Sequence, residues 1–197
     1  DGTSNDTAVL DIFVAPVNAV PVASLDTQIA AEDTPVTGNL LTNDTDANND
    51  TLVVTQYSFT VGGVTYTYPA GSTNVIPGVG TVLVNANGAY TFTPFPNYNG
   101  SVPVITYTIS DSNGGTATST LSITITNVND SPIAVNDDNI TTSVDTILIG
   151  IFLSNDSDPD GNAITVSQYM INGTSYSAGT TSTIAGVGSL TINSFGA

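Results

Sequence analysis

The chain has 197 residues, 40% of them apolar, which is enough for one to two globular domains. It carries 17 acidic residues, all Asp except Glu32, and no Lys, Arg, His, Cys or Trp, for a formal charge of −17. This inventory excludes His-based acid–base catalysis, Ser–His, Cys–His and Ser–Lys nucleophile pairs, thiolate or imidazole zinc sites and counterion-release binding of nucleic acid. No side-chain salt bridge can form either, so the carboxylates must be solvated, hydrogen-bonded or neutralised from outside.

In chain order, residues 1–16 come first, with Leu10, Ile12 and Val14 in a period of two. They match Leu121, Ile123 and Ile125 at an offset of 111 residues and read as the last strand of a preceding repeat. Residues 17–127 read as one complete repeat, opening on Asn18-Ala19-Val20-Pro21-Val22-Ala23. Strands are expected at 52–61, 64–68, 81–84, 90–93 and 104–110. A final strand at 116–126 should pair with the one before it. Gly62-Gly63, Asn87-Gly88 and the Gly/Asn/Asp clusters at 97–100 and 111–115 punctuate them. Residues 128–197 begin the pattern again: Asn129-Asp130-Ser131-Pro132-Ile133-Ala134 returns the opening, Gln168-Tyr169 returns Gln56-Tyr57, and Gly186-Val187-Gly188 returns Gly78-Val79-Gly80. The repeat stops at the counterparts of Gly88-Ala89. Its last strands are therefore expected from more of the parent chain or from a neighbour, and without them a sheet edge is left unpaired. Charged residues are only 9% and strand formers abound, so the chain is ordered. The fold class read from this is all-β, with tandem antiparallel β-sandwiches of about seven strands per repeat. No run of about 18 apolar residues exists, so no membrane insertion is expected.

Two loops carry the chemistry. Asp44, Asp46, Asn48 and Asp50 recur as Asp156, Asp158, Asp160 and Asn162, placing oxygen ligands at positions 1, 3, 5 and 7 of a curled loop. Alternate residues of such a loop point the same way, and Ca²⁺ accepts six to eight oxygens in flexible geometry. Turn preference explains some of the Asp and Asn, because their side chains bond the local backbone. It does not explain carboxylates at this density with no cation nearby, since like charges repel. An EF-hand is rejected: Thr55 and Ser167 stand where its bidentate Glu would be, and no helices flank the loops. The expected cofactor is Ca²⁺.

Lesser acidic positions sit where repeats join and strands turn: Asn129 and Asp130 at the boundary, Asp111 before the last strand, and Asp33 with its counterpart Asp145. A further metal or plain turn chemistry would account equally for these. Catalysis is not expected. Glu32 has no counterpart in the next repeat, and the Asp residues lack an apolar surround that would raise a pKa.

The carrying motifs are Glu32-Asp33-Thr34 with Asn43-Asp44-Thr45-Asp46, Asn155-Asp156-Ser157-Asp158-Pro159-Asp160-Gly161, Tyr90-Thr91-Phe92-Thr93-Pro94 with Asn97-Tyr98-Asn99-Gly100, and Tyr107-Thr108-Ile109-Ser110-Asp111-Ser112-Asn113-Gly114-Gly115. In these the chain resembles the calcium-binding cadherin-like and Ig-like tandem repeats of giant bacterial surface adhesins, of the RTX and gliding-adhesin type. Asn48 and Val144 depart from the family's usual acids. The resemblance implies a structural spacer at the bacterial cell surface, in which calcium-stiffened sandwiches hold a distal binding region away from the cell. Implied partners are neighbouring repeats of the same or another chain. Two other readings remain. In one, the domain binds a glycan or protein through the 61–73 loop or a face of Tyr66, Tyr68, Tyr98 and Tyr176. In the other, it is a strand-exchanging sheath or fibre subunit.

Overall fold

The computed structural model describes residues 2, 9–14, 17–138 and 140–197. The chain divides into two compact units, Asp1–Thr126 and Asn127–Ala197. Of the residues read as a strand of a preceding repeat, 1, 3–8, 15 and 16 lie outside the described residues. Residues 9–14 carry no strand, and their apolar side chains are exposed.

The first unit holds β1 (Asp26–Ala31), β2 (Val36–Asn39), a 3-10 turn over Leu40–Thr42, β3 (Val53–Val61), β4 (Val64–Pro69), β5 (Thr73–Ile76), β6 (Gly80–Val84), β7 (Ala89–Pro94), the two-residue β8 (Gly100–Ser101), β9 (Ile105–Ser110) and β10 (Thr116–Thr126). One sheet runs β1-β10-β9-β3-β4, with β8 on β10, and the other runs β2-β7-β6-β5. These ten strands exceed the expected seven or so, because the entering segment divides between the sheets as β1 and β2 and because β5 and β8 are short. The β10–β9 pair follows the expected register, Thr116 opposite Ser110. The β1–β10 pair departs from the antiparallel expectation and is parallel, Asp26 opposite Leu121. β1 enters at the sheet edge beside the last strand and leaves in the same direction, to cross over as β2.

Alternation builds the core. Ile105, Tyr107 and Ile109 of β9 face Leu121, Ile123 and Ile125 of β10 on the same buried side, and Val82, Val84, Tyr90 and Phe92 close over them from the other sheet. Burying each such side chain contributes roughly 1.5–3 kcal/mol. Tyr66, Tyr68 and Tyr98, read as an exposed sugar-stacking face, instead pack against this core. Tyr66 and Tyr68 each lie against Phe59 with ring centroids 5.6 and 5.9 Å away.

The second unit carries β11 (Gln168–Ile171), β12 (Thr174–Ser177), β13 (Thr181–Ile184) and β14 (Gly188–Thr191) as two separate hairpins. They repeat β3–β6 in miniature. Gly62-Gly63, with φ of 58° and 80°, and Asn172-Gly173, with φ of 48° and 81°, make the left-handed two-residue turn that a twisted hairpin requires. Tyr169 stacks on Tyr176 at 5.4 Å, where the corresponding Tyr57 and Tyr68 rings meet at a tilt, 5.9 Å apart. Beside these hairpins lies an open trough of about 1060 Å³, lined by Ile147, Leu148, Phe152, Val187 and Leu190 among others.

Candidate metal centre

The acidic loop of the first unit is shaped by its own backbone. Val22 and Thr45 form a two-way backbone bridge, with N–O distances of 2.7 and 3.0 Å. Asp46 Oδ1 then accepts the N–H groups of Asn48 at 2.7 Å and Asp50 at 3.2 Å, and Asn49 takes a positive φ of 60° to close the turn. Asn48 Oδ1 accepts Ala19 N–H at 2.6 Å. The loop thereby grips the segment by which the chain enters the domain.

Asp111 arrives from the turn between β9 and β10. Its Oδ1 accepts the N–H groups of Asn113 and Gly115, each at 2.8 Å, and its Oδ2 accepts the Asn18 amide at 2.8 Å. The Asn18 amide, helped by the two backbone N–H groups, holds this carboxyl below the usual range despite its burial. Carboxylate oxygens of Asp46, Asp50 and Asp111 all lie within 4.8 Å of one another. Asp46 Oδ2 is buried and receives no hydrogen bond. A cavity of about 400 Å³ opens between Asn18, Asn48, Asp50 and Asn113.

The loop curls rather than alternates, so the four expected ligands do not share one face. Asp46 and Asp50 converge, Asn48 is taken up by Ala19, and Asp44 lies outside the three-carboxylate group. Asp44 is 9% exposed, and its Oδ1 accepts Ser24 N–H at 2.7 Å. It belongs with Asp26 and Tyr107, whose hydroxyl donates to Asp26 Oδ2 at 2.8 Å. Burial raises the carboxyl pKa values of Asp26 and Asp44, and burial with the Asp26 contact raises the Tyr107 phenol. Asp33 sits elsewhere as a turn residue with φ of 56°, its Oδ1 accepting Asn97 N–H at 3.0 Å.

The second unit repeats the loop's main bonds. Asp158 Oδ1 accepts N–H groups from Asp160 at 3.0 Å and Asn162 at 3.2 Å. Asp160 Oδ2 accepts Asp130 N–H at 2.6 Å, Asp156 Oδ1 accepts Val135 N–H at 2.8 Å, and Asn162 donates to Asn129 Oδ1 at 3.2 Å. Ile133 and Ser157 form the matching bridge, and Gly161 takes the positive φ. Asp145 is an exposed turn residue with φ of 62°. Sequence reasoning passed over Asn18, Asn113, Asp26 and Tyr107. The first is flagged by its counterpart Asn129 and the third by Asp137, each 111 residues on.

The first unit is thus a β-sandwich whose acidic loop is bonded to the entering segment, and the comparisons say which known domains the chain is similar to. It belongs to the bacterial cadherin-like domain family, which matches residues 18–127, while residues 129–195 match the bacterial Ig domain. These are structural or adhesion modules, not enzymes, and are typical of surface-associated or extracellular proteins. Among solved structures, the chain is similar to a nucleoside hydrolase-related hypothetical protein from Saccharophagus degradans, described as associated with carbohydrate metabolism. Identity is 16% and the TM-score 0.36, over 55% of this chain and 26% of that one. The chain thus spans about a quarter of that protein, and so slight a likeness carries no argument. The search of curated proteins finds no match. Among the described residues, no helix is long and apolar enough to cross a membrane.

Proposed function

We propose that the chain is a calcium-stiffened spacer from an extracellular bacterial adhesin or surface filament, with residues 17–127 acting as one repeat and 128–197 belonging to the next. Asp46, Asp50 and Asp111 hold Ca²⁺ in the first unit, with Asn18 and Asn48 beside them. Asp158 and Asp160, with Asp130 and Asn162 nearby, form the corresponding loop of the second. One observation carries the reading: three carboxylates converge, with a buried Asp46 oxygen lacking any donor, in a chain that has no cationic side chain. The donors are all hard oxygens, which suit Ca²⁺ and its variable coordination number. The ion offsets their mutual repulsion and locks the Asp46 turn. Because Asn48 and Thr45 are bonded to Ala19 and Val22, a locked turn also fixes the entry segment, and that is how binding stiffens the domain. Titration calorimetry on the 197-residue chain tests this. The parent takes up Ca²⁺, and Asp46→Ala combined with Asp50→Ala binds fewer ions; equal stoichiometry in the two would contradict the assignment.

A further inference from the structure

We infer that Asp26, Asp44 and Tyr107 form a second cation site in the first unit, separate from the Asp46 group and taking a hard divalent ion such as Ca²⁺. Proton counting around one atom leads there. The Tyr107 hydroxyl lies 2.8 Å from Asp26 Oδ2, 2.9 Å from the Ser24 carbonyl and 3.5 Å from the Leu40 carbonyl. It has a single proton, and Asp26 receives it. Asp44 adjoins the same group. Its side chain is nine-tenths buried, and its Oδ2 accepts no hydrogen bond. Asp26 also takes a hydrogen bond from the Asn43 side chain, so the negative charge that no donor meets falls on the buried Asp44 Oδ2. Both carboxyls are disfavoured as anions by burial, Asp26 also by the Asp44 charge.

Only a proton or a cation can relieve this arrangement. One proton discharges one carboxylate, whereas one divalent ion discharges both, and the chain offers no Lys, Arg or His to do so. The donor set of carboxylate, carbonyl and phenol oxygens is hard throughout, as Ca²⁺ prefers. The second unit retains part of the design: Asp137 and Asp156 occupy the positions of Asp26 and Asp44, and Val135 N–H donates to Asp156 as Ser24 N–H does to Asp44. The site goes beyond the proposed function and does not depend on the Asp46 group holding an ion.

Terbium provides the probe, because Tb³⁺ substitutes for Ca²⁺ and emits when an adjacent tyrosine is excited. The 197-residue chain, Asp26→Asn, Tyr107→Phe and Asp50→Asn are compared by Ca²⁺ dialysis and by tyrosine-sensitised Tb³⁺ emission. Tyr107→Phe keeps the ring in the core and loses only the hydroxyl, so it remains informative if Asp26→Asn fails to fold. Asp26→Asn should bind one Ca²⁺ fewer than the parent, and Tyr107→Phe should lose most of the sensitised emission. Asp50→Asn should keep that emission while losing the ion of the other group. An unchanged Ca²⁺ count in folded Asp26→Asn, or undiminished emission from Tyr107→Phe, would overturn the site and leave a shared proton in its place. An unchanged count in Asp50→Asn would count against the Asp46 group alone.

Discussion

The two acidic loops, 43–50 and 155–162, have the same hydrogen-bond scheme in very different surroundings. In the first unit the loop sits on a closed sandwich, and in the second it sits beside two separate hairpins and an open trough. Both Asp46 and Asp158 accept from residues two and four places on, and both loops bridge back to the incoming segment. Loop shape is therefore a local property, set by an Asx-type turn and one backbone bridge. The cluster of three carboxylates within the first unit is not local. It needs Asp111, delivered by the β9–β10 turn, and the repeat position of Asp111 falls beyond residue 197.

The largest expected contrast lies in the cores. Ile123 is 2% exposed and Ile147 is 87% exposed. Ile123→Ala should destabilise the chain by about 2–5 kcal/mol, and Ile147→Ala by no more than about 0.5 kcal/mol, as measured by urea unfolding. Comparable losses at the two positions would mean that the trough packs as tightly as the sandwich.

A smaller and sharper contrast comes from Gly115. A Cβ there would collide with the Asp111 carboxylate and press on Pro21. Gly115→Ala should displace Asp111 without removing a ligand, and so shrink the Ca²⁺-dependent rise in Tm that Asp46 and Asp50 alone cannot sustain. Gly115 belongs to the first unit, so the amide signals of the 155–162 loop in an NMR titration should respond to Ca²⁺ as in the parent.

The smallest effect is on pH dependence in EGTA. Burial raises the folded pKa values of Asp26 and Asp44, so the folded chain takes up these protons at higher pH than the unfolded chain does. Their contribution to stability therefore increases as pH falls from their folded pKa values toward the ordinary carboxylate value near 4. Asp111 has the opposite sign: its contribution is present above that value and is lost as pH falls through its lowered folded pKa. Asp26→Asn should flatten the gain that appears as pH falls toward about 4 in a series of thermal melts. A parent curve with no such gain would show that the pair is not strained.

Much of the fold was legible because it rests on period-two alternation and short turns. The buried face Leu121, Ile123, Ile125 and the Gly62-Gly63 hairpin can be read directly from the residue order. The parallel docking of β1 on β10 was not legible, since nothing in DTQIAA marks a partner 95 residues away at Leu121. The acidic loops were found as clusters, but alternation was the wrong rule for a loop that curls through Asn49. That rule placed Asp44 with Asp46 and Asp50, whereas the fold gives Asp44 to Tyr107. Asp111 reads from the sequence equally as a ligand of a further metal or as a turn residue, and its convergence on Asp46 and Asp50 is not legible there, because it depends on where the β9–β10 turn is delivered. Tyr107 reads as core, and its ring is core; only the hydroxyl takes part in the polar group.

The central claim is that Ca²⁺ bound by Asp46, Asp50 and Asp111 controls the stability of the domain. Thermal melting of the 197-residue chain in about 10 mM Ca²⁺, in Mg²⁺ and in EGTA tests it most directly. With a dissociation constant near 10⁻⁴ M, mass action contributes about 2.7 kcal/mol per site, a large share of the ~5–15 kcal/mol typical of a domain. Tm should therefore rise by several degrees in Ca²⁺ over EGTA, and hardly at all in Mg²⁺, which demands tight octahedral geometry and keeps its waters. Asp46→Ala with Asp50→Ala should respond to Ca²⁺ distinctly less than the parent. A Tm that EGTA leaves unchanged, or a double variant that responds as strongly as the parent, would reduce the acidic loop to a turn and contradict the calcium-stiffened spacer.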